Sequence, residues 1–368
     1  MRILFAGDFH THQSDGVSFG NALTELINLC DYSAINFESP VASAVNSKHP
    51  TKSGPRLSQP RENLLWLKNK GFNCLMLANN HIYDYGTDAL RITIDTAKDL
   101  FHIAGAGNWE ESYQPLILEK DNKTIAILNL AELQCGVLCD TLSDSGQLGC
   151  AWINHPSVFN IITEAKTKCD YVIAVTHAGL ENVEIPLPEW RDRYRQLIDY
   201  GCDAVIGAHP HICQGYEIYH DKPIVYSLGN FYFDSLSPHT KPSWFRGEVA
   251  VLDFNNGHTE LSLHGITSNN NIVELLKDEE WNLEIKRLNG LLEGDNYFHI
   301  VNDICNKKLN HYYNQFSSGG CIHIDKNIIK SIARKLFGRC NEANLLNSIQ
   351  CESHRWCITR ALRNQIYK

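Results

Sequence analysis

Two histidines, His209 and His211, sit two residues apart in Gly207-Ala208-His209-Pro210-His211, directly after Asp203-Ala204-Val205-Ile206. That small, β-branched run reads as a buried strand broken by glycine and proline. In an open parallel sheet, the carboxyl end of a strand is where ligands bind. Residues i and i+2 of an extended segment share a side, so both imidazoles are expected to face one point. Imidazole is a common ligand of borderline divalent metals. Alone, the two rings fit a polar surface loop equally well. Four further apolar runs change that balance, because each ends in the same way. Arg2–Gly7 ends at Asp8-Phe9-His10, Ser33–Phe37 at Glu38, Asn73–Leu77 at Asn80-His81, and Asp170–Thr176 at His177. Oxygen and nitrogen donors delivered by separate strands suit two divalent ions that share a bridging carboxylate or water. Two such ions carry +4, against −2 from Asp8 and Glu38, so the centre should attract anions. A hydroxide held between two metals is a nucleophile near neutral pH.

The elements that must position these residues alternate along the chain. Helical spacing marks Leu23–Cys30, Arg61–Lys70 (closed by Gly71), Thr87–Leu100, Pro156–Lys168 and Glu189–Tyr200. Pro115–Glu119 and Lys123–Leu130 read as a hairpin about Asp121-Asn122, and residues 132–150 as loop. Pro223–Leu228, Glu248–Asp253 and Glu260–Gly265 read as strands, so the fold class is α/β. Residues 44–60 form a long loop that carries Arg56, and long loops beside a site are usually functional. From about residue 270 the pattern becomes helical: Val273–Leu292, Ile300–Asn310, Ile328–Phe337 and Leu345–Gln365. The expected organisation is therefore a catalytic domain over 1–269 and a helical C-terminal appendage over 270–368. Lys330, Arg334, Lys335, Arg339, Arg355, Arg360 and Arg363 give the last helices a basic face, either merely solvated or docking a partner protein.

A formal net charge of −9 argues against general nucleic-acid binding, because no excess of Lys and Arg exists to release counterions. The 13 cysteines include no Cys-x-x-Cys pair, which favours free thiols in a reducing compartment. The opening apolar run is too short for a signal peptide, and no stretch approaches the roughly 20 apolar residues that span a bilayer. A cytoplasmic location away from the membrane is the expectation.

The order Asp-x-His, carboxylate, Asn-His, distant His and His-x-His resembles the calcineurin-like metallophosphoesterases. Longer blocks resemble the CapA family, named for capsule and poly-γ-glutamate biosynthesis. These are Asn36-Phe37-Glu38-Ser39-Pro40, Ala78-Asn79-Asn80-His81 through Asp84-Tyr85-Gly86, and His177-Ala178-Gly179-Leu180-Glu181. Gly207-Ala208-His209-Pro210-His211 and Tyr226-Ser227-Leu228-Gly229-Asn230-Phe231 complete the set. The resemblance implies a four-layer α-β-β-α sandwich, two mixed sheets covered by helices, with metals at one sheet edge. It gives Asp8, His10 and His211 to one ion and Asn80, His177 and His209 to the other, with Glu38 as the bridge. Manganese is preferred, with iron, zinc, calcium and magnesium undistinguished. His81 would act as general acid and Asp84 would orient it. Two departures stand out: Glu38 replaces the usual bridging Asp, and the glycine expected before that carboxylate is absent.

The leading expectation is a dimetal hydrolase that acts on a phosphoester or other anionic substrate through a metal-bridging hydroxide. Arg56 and Glu181 are the candidate substrate contacts. An alternative keeps the metals but binds a peptide carboxylate, so that a histidine moves a proton at the adjacent Cα and epimerises it. A third reading is a non-catalytic scaffold in polymer biosynthesis. His12, His49 and His155 are read as structural.

Overall fold

Alternation along the first strand decides the layering. In the computed structural model, which describes residues 1–41, 52–140, 146–234, 241–255, 257–316 and 342–367, Arg2–His10 is one extended strand. Ile3 and Phe5 point to one side, where they meet Ile125, Ile127, Ile173, Val175 and Ile206 of a second sheet. Leu4 and Ala6 point to the other, into a core shared with Leu23, Ile27, Leu64, Leu67 and Leu90 of three helices. A period of two thus places one strand between a partner sheet and a helical layer. Each of the larger apolar side chains, Leu, Ile, Val or Phe, stabilises the core by about 1.5–3 kcal/mol on burial.

The larger sheet runs in the order Ser18–Phe19, Ile272–Leu275, His258–Thr267, Arg246–Asn255, Arg2–His10, Tyr32–Phe37, Cys74–Met76 and His102–Ala104. The smaller main sheet runs Tyr216–Tyr219, Lys222–Val225, Ala204–Ala208, Tyr171–His177, Lys123–Ala131 and Leu116–Lys120. Helices Ser157–Lys168 and Pro188–Tyr200 pack on its outer face. The layers are therefore α-β-β-α, as the resemblance implied.

The first strand changes partner midway, and this organises the site. Arg2–Ala6 pair antiparallel with Arg246–Asn255, but Asp8–His10 pair parallel with Asn230–Phe233. At the handover, Asp8 N–H donates to the Gly229 carbonyl at 3.0 Å. A Cβ on Gly7 would stand 1.9 Å from that oxygen, so only glycine lets the two backbones approach.

Several expectations change. The strand expected over Pro223–Leu228 is present but ends at Val225, and a further strand, Asn230–Phe233, lies in the other sheet, with Gly229 turning at φ +66° between them. Residues 132–150 are not wholly loop, since Val137–Leu138, Gly149–Ala151 and Ala106–Gly107 form a small third sheet. Ile272–Leu275 is a strand and the helix begins only at Asp278, where three acidic residues complement its amino terminus. Leu345–Gln365 is two helices, Glu342–Gln350 and Glu352–Ile366, separated at Cys351.

The chain divides into two compact units, Met1–Pro50 with Arg56–Leu292, and Thr51–Pro55 with Glu293–Lys368. That division falls later than residue 269, because the strand at 272 pairs into the larger sheet while Trp281 and Leu288 pack against Cys213. In the second unit, Val301, Cys305 and Leu309 are buried, as are Cys351, Cys357 and Ala361. The expected helix Ile328–Phe337, with Lys330, Arg334, Lys335 and Arg339, lies outside the described residues. Arg355 and Arg363 are exposed and Arg360 is half-buried.

Candidate metal centre

Strand ends of both main sheets converge on one point. Asp8 and Glu38 are completely buried, beside His177, His209 and His211. One ligand atom each from Asp8, Glu38 and His211 lie within 4.8 Å of one another, and the same holds for Glu38, His177 and His209. Glu38 is common to both sets. Asn80 joins the second: its Oδ1 is 3.0 Å from His177 Nε2, and His209 Nδ1 is also 3.0 Å from that nitrogen. Glu38 Oε1 stands 3.6 Å from His177 Nε2 and 3.8 Å from His211 Nε2.

Neighbouring side chains set the orientation of these donors. His209 Nε2 is 3.0 Å from Glu132 Oε1, so the proton sits on that nitrogen and the Nδ1 lone pair faces the centre. His211 Nδ1 donates to Asn230 Oδ1 at 3.0 Å, which leaves Nε2 for the centre. Asn36 Nδ2 donates to Asp8 Oδ1 at 2.7 Å, and Asn79 in turn donates to Asn36 Oδ1 at 3.2 Å. His209 and His211 converge by a different route from the extended one expected. Their φ values are +97° and +61°, a left-handed turn that leaves the ring centroids 6.1 Å apart, one ring in each of the two donor sets that share Glu38. Such strain in non-glycine residues persists where the surroundings over-determine it.

The charges are consistent with a cation. Burial holds His177 well below the ordinary imidazole range, reinforced by His209, His211 and His81. His211 is opposite: burial pulls it down, but Glu38 and Asp8, with Glu181 adding from the rim, push it up to about 10. The two carboxylates thus draw positive charge to this point, and a divalent cation would compete with that proton. His10 is pushed down to about 3 by burial, with His12 and His81 adding and the Ser58 backbone opposing. Neither His10 ring nitrogen makes a well-formed hydrogen bond. Its nitrogens fall in a separate set with His12 and Asp234, within 4.8 Å. Orphaned buried nitrogens, two buried carboxylates and mixed N/O donors all fit metal binding.

His81 stands beside the centre. Its Nδ1 is 2.6 Å from Asp84 Oδ2, and Asp84 Oδ2 also accepts from Leu57 N–H at 2.8 Å. Arg56, adjacent to Leu57, is exposed, and so is Glu181. The residues that sequence reasoning passed over are Glu132 and Asp234, together with the supporting roles of Asn36 and Asn230. Glu132 had a signal, since it directly follows the buried strand Lys123–Ala131 as the other site residues follow theirs.

The profile described as "Bacterial capsule synthesis protein PGA_cap" matches residues 2–235. The chain is 32% identical to the PGA biosynthesis protein CapA of Bacillus subtilis (strain 168) over 237 residues, 63% of this chain and 61% of that protein. It is 30% identical to the capsule biosynthesis protein CapA of Bacillus anthracis over 221 residues, 58% of this chain and 53% of that one. The matched regions thus span less than two thirds of either relative. Among solved structures, a hypothetical protein from Thermus thermophilus aligns over 72% of this chain and 98% of its own, with 15% identity and a TM-score of 0.42.

Proposed function

The chain belongs to the PGA_cap family of bacterial capsule synthesis proteins, and from that premise we propose that it is a dimetal hydrolase of a phosphoester or similar anionic substrate. The observation that supports this reading most is Glu38, shared by two donor sets, with the His81–Asp84 pair alongside. Asp8 and His211 would hold one cation, Asn80, His177 and His209 the other, and Glu38 both. The resemblance adds His10 to the first. Bound cations would supply Lewis-acid polarisation and lower the pKa of a coordinated water.

The remaining work falls to the protein. Asp84 accepts the His81 Nδ1 proton and fixes the ring so that Nε2 can deliver a proton to a departing oxygen. Burial of the donors excludes bulk water and strengthens each electrostatic contact. The exposed Arg56, next to the Leu57 that Asp84 anchors, would meet an anionic substrate group. Metal analysis of purified protein, coupled to a mass-spectrometric screen of phosphoesters and acidic peptides with chiral analysis, tests the reading. Hydrolysis that His81→Ala slows by about 10²–10⁴-fold while metal is retained is the expected result. Exchange of a Cα proton without bond cleavage would overturn it in favour of epimerisation.

A further inference from the structure

Two buried amides, Asn36 and Asn79, stand beside the centre and take no part in the chemistry assigned above. Asn36 lies on the strand Tyr32–Phe37, two residues before Glu38, and its Nδ2 donates to Asp8 Oδ1 at 2.7 Å. The same nitrogen is 3.2 Å from His177 Nδ1 and 3.5 Å from Glu38 Oε2. Asp8 belongs to one donor set, His177 to the other, and Glu38 to both. One amide nitrogen therefore touches both halves of the centre.

Asn79 extends this contact to the proton donor. Its Nδ2 donates to Asn36 Oδ1 at 3.2 Å and to the Phe37 carbonyl at 3.0 Å, both on the strand that leads into Glu38. Its Oδ1 accepts from His81 N–H at 3.2 Å, in the turn that also carries Asn80. Only one orientation of each amide satisfies these partners. Reversal would set Asn36 Oδ1 against the Asp8 carboxylate and the Asn79 amide nitrogen against His81 N–H. Neither side chain is charged, so the carboxylates are oriented while their negative charge stays available to cations. By contrast, Glu132 and Asn230 each orient a single histidine.

We propose that Asn36 and Asn79 are positioning residues that tie the two ion sites and the His81 turn into one unit, so that both sites gain or lose affinity together. This rests on the dimetal reading of the centre but not on hydrolysis. Asn36 holds a donor in each set directly, and Asn79 acts on them through Asn36.

The test uses the full chain, stripped with chelator and titrated with Co(II) alone, with affinity read from ligand-field absorption and stoichiometry from elemental analysis. In Asn36→Ala, both Co(II) equivalents are expected to bind about 10–100-fold more weakly. Asn79→Ala should weaken both as well, and the double variant should lose less than the sum of the two single losses. Thermal unfolding of the metal-free forms checks that each variant folds, and Asn36→Ser takes the place of Asn36→Ala if that variant does not. The proposal is overturned if one equivalent keeps wild-type affinity while the other weakens, or if the single losses add. It is also overturned if the variants unfold at lower temperature but bind Co(II) like wild type, because that is the signature of a purely structural role. A wild type that takes up at most one equivalent would instead overturn the dimetal reading, and this proposal with it.

Discussion

Replacing Glu132 probes the support behind a ligand rather than a ligand itself. Glu132 is buried, and its Oε1 lies 3.0 Å from His209 Nε2 and accepts from Gln134 Nε2 at 3.2 Å. The carboxylate fixes which His209 nitrogen carries the proton and raises the basicity of the other. Glu132→Gln keeps the shape and one acceptor but removes the charge. Partners of this kind are worth about 10–100-fold in metal affinity, and the amide belongs at the lower end. Glu132→Ala belongs at the upper end, because it also leaves His209 N–H buried without its acceptor, at about 1–3 kcal/mol. Competition against a fluorescent chelator, with Mn(II) and Zn(II), measures both variants. The graded order wild type, Gln, Ala is the expected result. Wild-type affinity in Glu132→Ala would refute the tautomer argument, and loss of folding in both variants would show that Glu132 is structural.

Gly7→Ala should destabilise the protein by at least about 2 kcal/mol, because the new Cβ would meet the Gly229 carbonyl at 1.9 Å and force the strand handover apart; denaturant unfolding with an unchanged midpoint would contradict this. Glu217 is ion-paired to Arg191 and Arg195 at 2.7 and 2.6 Å and accepts from Tyr226 Oη at 2.6 Å. Burial opposes its ionisation, but Arg195, Arg191 and Tyr226 outweigh it and lower the carboxyl from 4.5 to about 2. A lowered carboxyl pKa stabilises the fold above the unfolded value and is lost as pH falls through the folded one. The contribution is about 3 kcal/mol at neutral pH, so the stability gap between wild type and Glu217→Gln should narrow between about pH 4.5 and pH 2. A gap independent of pH would argue that shape, not charge, matters there.

Much of the site was legible because short β-branched runs ended abruptly in Asp, Glu, Asn or His, and buried strands deliver their final residues to one edge. Asp8, Glu38, Asn80, His177, His209 and His211 all carry that signal, and the structure brings them together. Glu132 carries it too, but the Gly-, Ser- and Cys-rich stretch that follows reads as loop and hides the strand end. Asp234 was not legible at all. Its position depends on the first strand exchanging Arg246–Asn255 for Asn230–Phe233, a pairing between segments more than 200 residues apart with no local signature. Val273–Leu275 satisfied a helical spacing with residues that also suit a strand, and pairing with His258–Thr267 on one side and Ser18–Phe19 on the other decided the matter. At His209 and His211 the sequence showed convergence, but its geometry came from left-handed backbone that spacing alone does not reveal.

The central claim is that Glu38 lies between two cations. Crystals of the purified chain grown with Mn(II), measured at the manganese absorption edge, test it most directly. Two anomalous peaks flanking Glu38 are expected, one against Asp8 and His211, the other against Asn80, His177 and His209. A single peak on one side of Glu38, or none with the carboxylate bound only to protein groups, would contradict it.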